Sequence, residues 1–169
     1  MMRRLILAAL AVALVATSCQ PAASELSEAE RTAIAETVNA INAGFWDAWR
    51  AADFDRGMSY YDNSPDLAFA FEGAVDYGYA EIEAKYLPGM AGVASQEITV
   101  TDSRTTVLAP DVVCIMEAGS SSATDTAGVT GPEGSFAVTS IWVLRDGEWK
   151  IHIGHESFPS PESIQPRSP

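Results

Sequence analysis

The amino-acid sequence predicts an α+β domain with helices packed on one face of a curved sheet. Two observations carry this. One long amphipathic helical pattern opens the folded part, and the C-terminal half reads as consecutive strands joined by tight turns. Length and composition agree. The 169 residues make one domain, and 47% hydrophobic against 20% charged residues exclude disorder throughout.

Ser27 followed by Glu30 is a capping box and marks the first helix start. Ile34, Val38, Ile41, Phe45, Trp49 and Ala52 then recur at helical steps, giving one apolar stripe, with Asn39, Asn42 and Asp47 off it. Residues 54–61 suit a second short helix, stopped before Asn63-Ser64-Pro65 because proline disfavours helix in the residue before it. Residues 67–71 read as a strand ended by Gly73, and residues 79–87 as a helix ended by Pro88-Gly89. Residues 96–108 and 112–122 form the next two strands. The Ser/Thr/Gly-rich run 120–134 reads as a loop. Residues 135–144 and 149–158 are the closing hairpin around Arg145-Asp146-Gly147.

The chain carries 10 Lys+Arg against 23 Asp+Glu, a formal net charge of −13. Such a surface repels phosphate backbones and anionic lipid headgroups, so nucleic-acid and polybasic membrane partners are excluded. At the N-terminus, Arg3 and Arg4 precede an apolar run of 12 residues, Leu5 to Ala16. A membrane-spanning helix needs about 20. The run fits the apolar part of a secretory signal, roughly 7–15 residues. Ala16-Thr17-Ser18-Cys19 resembles the lipobox of bacterial lipoproteins. The resemblance implies cleavage before Cys19, acylation of its sulfur and a place in the cell envelope. Gln20, where Asp is absent, implies the outer membrane, facing the periplasm. The expected organisation is therefore a signal peptide 1–18, a lipidated Cys and tether 19–27, a domain 28–158 and a proline-rich tail 159–169. Cys114 sits among aliphatic residues and reads as a core thiol.

The segments Trp49-Arg50-Ala51-Ala52-Asp53, Tyr60-Tyr61, Asp66-Leu67-Ala68-Phe69, Phe71-Glu72-Gly73 and above all the hairpin from Trp142 to Ile151, ending His155-Glu156-Ser157, carry a resemblance. Over about residues 28–157 the chain resembles the nuclear transport factor 2-like superfamily, in its SnoaL-like and ketosteroid-isomerase-like branch. The hairpin is also similar to the association domain of calcium/calmodulin-dependent kinase. The resemblance implies a cone-shaped curved antiparallel sheet packed against the N-terminal helices. Its members include isomerases, dehydratases, cyclases and modules without catalysis, so fold alone does not assign a function. The catalytic arrangement of ketosteroid isomerase does not carry over, since the first helix lacks the tyrosine it needs.

A three-residue hairpin loop sets Trp142 opposite Lys150 and Ser140 opposite His152. A two-residue Asp-Gly loop sets Trp142 opposite Ile151, so register decides the faces. The three-residue version is preferred because it separates one apolar from one mixed face. Its mixed face, with Ser140, Trp142, His152 and Glu156, then lines the cone. Its apolar face, with Ile141, Ile151 and Ile153, asks for a cover, and a homodimer supplies it. Glu117 pointing inward would join His152 and Glu156 as candidate general acids and bases, because burial raises carboxyl pKa values. Phe69, Phe71, Tyr79 and Trp142 would form apolar walls for a small apolar or amphipathic ligand, with Trp49 and Tyr61 at the mouth. The plainer reading puts both glutamates in water at strand ends, His152 in a sheet hydrogen bond and the aromatics in the core. Two histidines without ligand spacing give no metal site, and no phosphate loop or nucleophile motif is present, so no cofactor is expected. Three functions remain: a ligand-binding envelope module, an acid–base enzyme and a structural dimer module. A hollow cone separates the first two from the third.

Overall fold

Ser27 starts the first helix as the sequence predicts. Its hydroxyl accepts from the Glu30 amide, and the Glu30 carboxylate accepts from the Ser27 amide at 2.8 Å. The computed structural model describes residues 26–158. The expected leader, Cys19, most of the tether and the tail lie outside them. Helix α1 (Glu28–Arg50) is followed by α2 (Phe54–Met58), β1 (Ala68–Phe71), β2 (Ala74–Tyr77), α3 (Tyr79–Met90), β3 (Val93–Ala109), β4 (Val112–Asp125), β5 (Gly134–Arg145) and β6 (Glu148–Ser157). No helix among the described residues is long and apolar enough to cross a membrane.

The strands form one sheet in the order β2-β1-β6-β5-β4-β3. Every neighbouring pair is antiparallel except β1 and β6, which run parallel. Strand β3 is bent by irregularities near Ser95, Asp102 and Ala109, and such bulges raise the local twist. The curl lets α1 lie across the concave face. Both ends of α1 are tied to β3: Arg31 donates to the Val107 carbonyl at 2.9 Å and Arg50 to that of Ile98 at 3.0 Å. Val38, Phe45, Leu67, Ile82, Val113, Ile115, Trp142 and Ile151 form the core between helices and sheet. Each such side chain, fully buried, contributes about 1.5–3 kcal/mol.

Four elements differ from the expectation, each for a local reason. Helix α2 stops at Met58 because the next residues pair with β6: the Ile151 amide donates to Tyr60 and the Asp62 amide to Ile151. Strand β2 was not anticipated; four residues, half of them polar or small, carry little periodic signal. Pro88 does not end α3, which runs on to Met90. Pro88 and Ala84 are both exposed, so the carbonyl left without an amide donor faces water. Residues 120–125 are strand rather than loop, because the long β3 offers them partners as far as Val93.

The hairpin register is the main correction. Asp146 (φ 53°) and Gly147 (φ 83°) form a two-residue turn, so Trp142 faces Ile151 and Leu144 faces Trp149. A register shift between Ile141 and Trp142 then leaves His152 as an extra residue on β6. The bulge keeps Ile151 on the concave side and turns Gly154 and Glu156 to that side as well. Ile151 (2% exposed) and Trp149 (9%) are thus core residues, not parts of an outer apolar face. The outer face keeps Ile141 and Ile153, in a row with Cys114 on one side and Ala68 on the other. Cys114 is half-buried there rather than in the core, which belongs to its neighbours Val113 and Ile115.

Candidate functional site

The concave face and the helices enclose a cavity of about 200 Å³. A water needs only about 10–15 Å³ measured this way, so the cone has room for more than a few waters. Helix α1 contributes Phe45, Trp46 and Trp49, and α3 contributes Ile82, Tyr86 and Met90. Phe69 and Phe71 from β1 stack at 6.2 Å, and the Tyr86 ring meets both edge-on. Gly154 makes this possible, since a Cβ there would come within 2.8 Å of the Phe69 ring. Phe158 closes the aromatic wall against Phe71 at 5.9 Å.

Two carboxyl groups look into this space. Glu117 on β4, Val138 on β5 and Glu156 on β6 form one cross-strand row on the inner face. Two strand spacings put the glutamate backbones about 10 Å apart. Glu117 is buried and saturated: it accepts from Asn42 Nδ2 at 3.0 Å, Trp46 Nε1 at 2.9 Å and Ser103 Oγ at 3.2 Å. Glu156 has no hydrogen-bond partner among the described residues, and burial pushes its carboxyl up to about 7. Burial, then the neighbouring Glu156 charge, pushes the Tyr61 hydroxyl up, so it stays neutral at the cavity wall.

Of the predicted site residues, Glu117, Glu156, Trp49, Tyr61, Phe69, Phe71 and Ser140 line the cavity. Tyr61 sits deep rather than at the mouth, at 9% exposure. Trp49 turns its ring nitrogen against Gly57, where it finds no acceptor among the described residues. Three residues do not line the space. His152, the bulge residue, turns away to Asp62, its Nδ1 2.9 Å from Oδ2, and Arg145 lies 3.3 Å from the same oxygen. Trp142 is wholly buried below the floor, donating to Ser140 Oγ at 2.9 Å. Tyr79 is the first residue of α3, its hydroxyl donating to Glu83 Oε1 at 3.3 Å. Asn42 and Trp46, four residues apart on α1, were missed. Their hint was a polar residue and an indole on one helical face, but the carboxylate they serve lies 75 residues from Asn42. Among the described residues, no group of three His, Cys, Asp or Glu side chains is placed to hold a metal ion.

Comparison with known proteins agrees with this architecture. No curated protein matches the chain. A nuclear transport factor 2-like superfamily protein from Salmonella enterica serovar Typhimurium superposes with a TM-score of 0.62 at 17% identity, covering 80% of this chain and 95% of that one. A ketosteroid isomerase-like protein from Erwinia carotovora atroseptica gives 0.61 at 18% identity, covering 75% and 97%. The association domain of the C. elegans calmodulin-dependent kinase gives 0.60 at 14%, covering 75% and 97%. At these identities the likeness is one of fold. The model of the SnoaL-like domain matches residues 38–161, most of the chain, and the protein belongs to that family.

Proposed function

We propose that this protein is a lipid-anchored envelope protein whose SnoaL-like domain binds a small, largely apolar molecule inside the cone. The observation that carries the reading is the enclosed cavity of about 200 Å³ with aromatic walls and two inward carboxyl groups. A filled cone would have favoured a purely structural module. In a thermal-shift screen of small aromatic and alicyclic compounds, binders raise the melting temperature of the wild type. They leave Val138→Phe, which fills the space between the glutamates, unshifted. A screen in which no compound shifts the wild type overturns the reading.

A second reading, an acid–base enzyme of the isomerase, dehydratase or cyclase type, is favoured by one observation. Glu156 has no hydrogen-bond partner among the described residues and is held near neutrality by burial, at about 7, which suits a group that both gives and takes protons. Glu156 alone carries this role; His152 lies outside the cavity and Glu117 is occupied by its donors.

The leader pattern from Met1 to Cys19 supports the anchor and an outer-membrane place facing the periplasm. The outer-face row of Cys114, Ile141 and Ile153, with Met116 at 54% exposure beside it, supports a homodimer through that face. Replacing Cys19 by Ala is expected to move the protein from the membrane to the soluble envelope fraction, at twice the monomer mass by light scattering. Retention in the membrane refutes the anchor, and a monomeric mass refutes the dimer.

A further inference from the structure

Among the described residues, the cone is lined by the carboxyl groups of Glu117 and Glu156 and by no lysine or arginine. The lysine and arginine side chains of α1 and α3, the helices that bound it, are engaged elsewhere. Lys85 is held by both Asp76 oxygens at 2.7 Å, and Arg31 and Arg50 are tied to the backbone of β3. Among the described residues Glu117 accepts from the neutral donors Asn42, Trp46 and Ser103, and no lysine or arginine pairs with it. Glu156 stands two strands away in the same inward row with no partner among the described residues. A carboxyl largely withdrawn from water favours either a proton or a counter-cation. The rings of Trp46, Trp49, Phe69, Phe71 and Tyr86 are among the remaining walls, and aromatic rings attract cations. The net charge of −13 adds a field that concentrates cations at the surface.

We propose that the molecule bound in the cone is a small organic amine, its ammonium paired with the Glu156 carboxylate and its apolar body against the aromatic wall. This rests on the cone being a ligand pocket and names the ligand class. The chain supplies the acidic end and the apolar lining, and the ligand supplies the missing positive charge. In the empty pocket burial holds the Glu156 carboxyl near 7, so seating an ammonium at pH 7 displaces about half a proton per molecule to solvent. The titratable groups that share the cavity with it are Glu117, Tyr61, Tyr86 and His155, with the Lys85–Asp76 pair beside Tyr86.

The test compares 2-phenylethylamine with 2-phenylethanol, a neutral molecule of the same shape, by calorimetry and chemical-shift titration on the purified protein. The amine is cationic from pH 5 to 8. At pH 8 it is expected to bind at least tenfold more tightly than the alcohol. That preference is expected to fall several-fold at pH 5 in the wild type, and to vanish at both pH values in Glu156→Gln. The variant separates the contribution of Glu156 from that of His155, and the wild-type pH series stands alone if the variant fails to fold. Equal binding of amine and alcohol at pH 8 overturns the amine assignment while leaving the pocket reading intact. A preference that survives Glu156→Gln unchanged also overturns it. Absence of binding by either compound overturns both.

Discussion

Glu117 and Glu156 occupy equivalent places on one concave sheet, yet their surroundings are opposite. Helix α1 lies over Glu117 and meets it with an amide and an indole, while the strand beside it adds a hydroxyl. Glu156 finds no such donor among the described residues and faces the aromatic-walled cavity. The same residue type is therefore architecture at one end of the cone and chemistry at the other. A buried carboxylate with all its donors fixes the helix on the sheet. One without them stores a cost that a proton or a ligand relieves.

Breaking the first end should have the largest effect. Glu117→Ala strands the Asn42 amide and the Trp46 indole without an acceptor, and urea denaturation is expected to show a loss of roughly 3–5 kcal/mol. A loss below about 1 kcal/mol would mean that water serves those donors equally well. The second end should respond in the opposite direction and with pH. The Glu156 carboxyl is raised from 4.5 to about 7, so the native state holds a proton that the unfolded chain releases between those values. The wild type is accordingly at full strength below pH 4.5 and loses up to roughly 3 kcal/mol as pH rises through 7. Glu156→Gln should abolish that slope, matching the wild type at pH 4 and exceeding it at pH 8. Parallel pH–stability curves for the two proteins would contradict the contrast. The smallest effect belongs to His152→Ala. Asp62 keeps Arg145, so the change should cost about 1 kcal/mol and leave ligand affinity untouched. A tenfold loss of affinity there would return His152 to the site.

The parts of this molecule that could be read from its sequence are those whose causes are local. The Ser27–Glu30 cap depends on residues within one turn of chain, and so does the place of the closing hairpin's turn, though its two-residue form was not the one the face pattern favoured. Alternation on β4 brings Glu117 inward with Val113 and Ile115, and needs only a period of two. On β6 the same reasoning placed Glu156 inward but misplaced Ile151 and His152, because the turn is one residue shorter and His152 is an extra residue. One inserted residue reverses every face beyond it, and nothing in the residues around Ile151 marks the insertion. The stripe assigned to α1 was rotated for a related reason. Ile34, Ile41 and Trp49 are half-buried while Asn42 and Trp46 are buried, because the helix turns to serve a carboxylate on a distant strand.

By itself the sequence determined the order of helices and strands, the acid excess and the two inward glutamates as candidates, since propensity, patterning and charge are properties of neighbouring residues. The tertiary structure decided which glutamate is satisfied, that His152 faces away and that a space remains between α1, α3 and the sheet. Those outcomes depend on where groups far apart in the chain come to rest, and a bulge of one residue or a helix rotation of a few tens of degrees changes them without altering any local pattern.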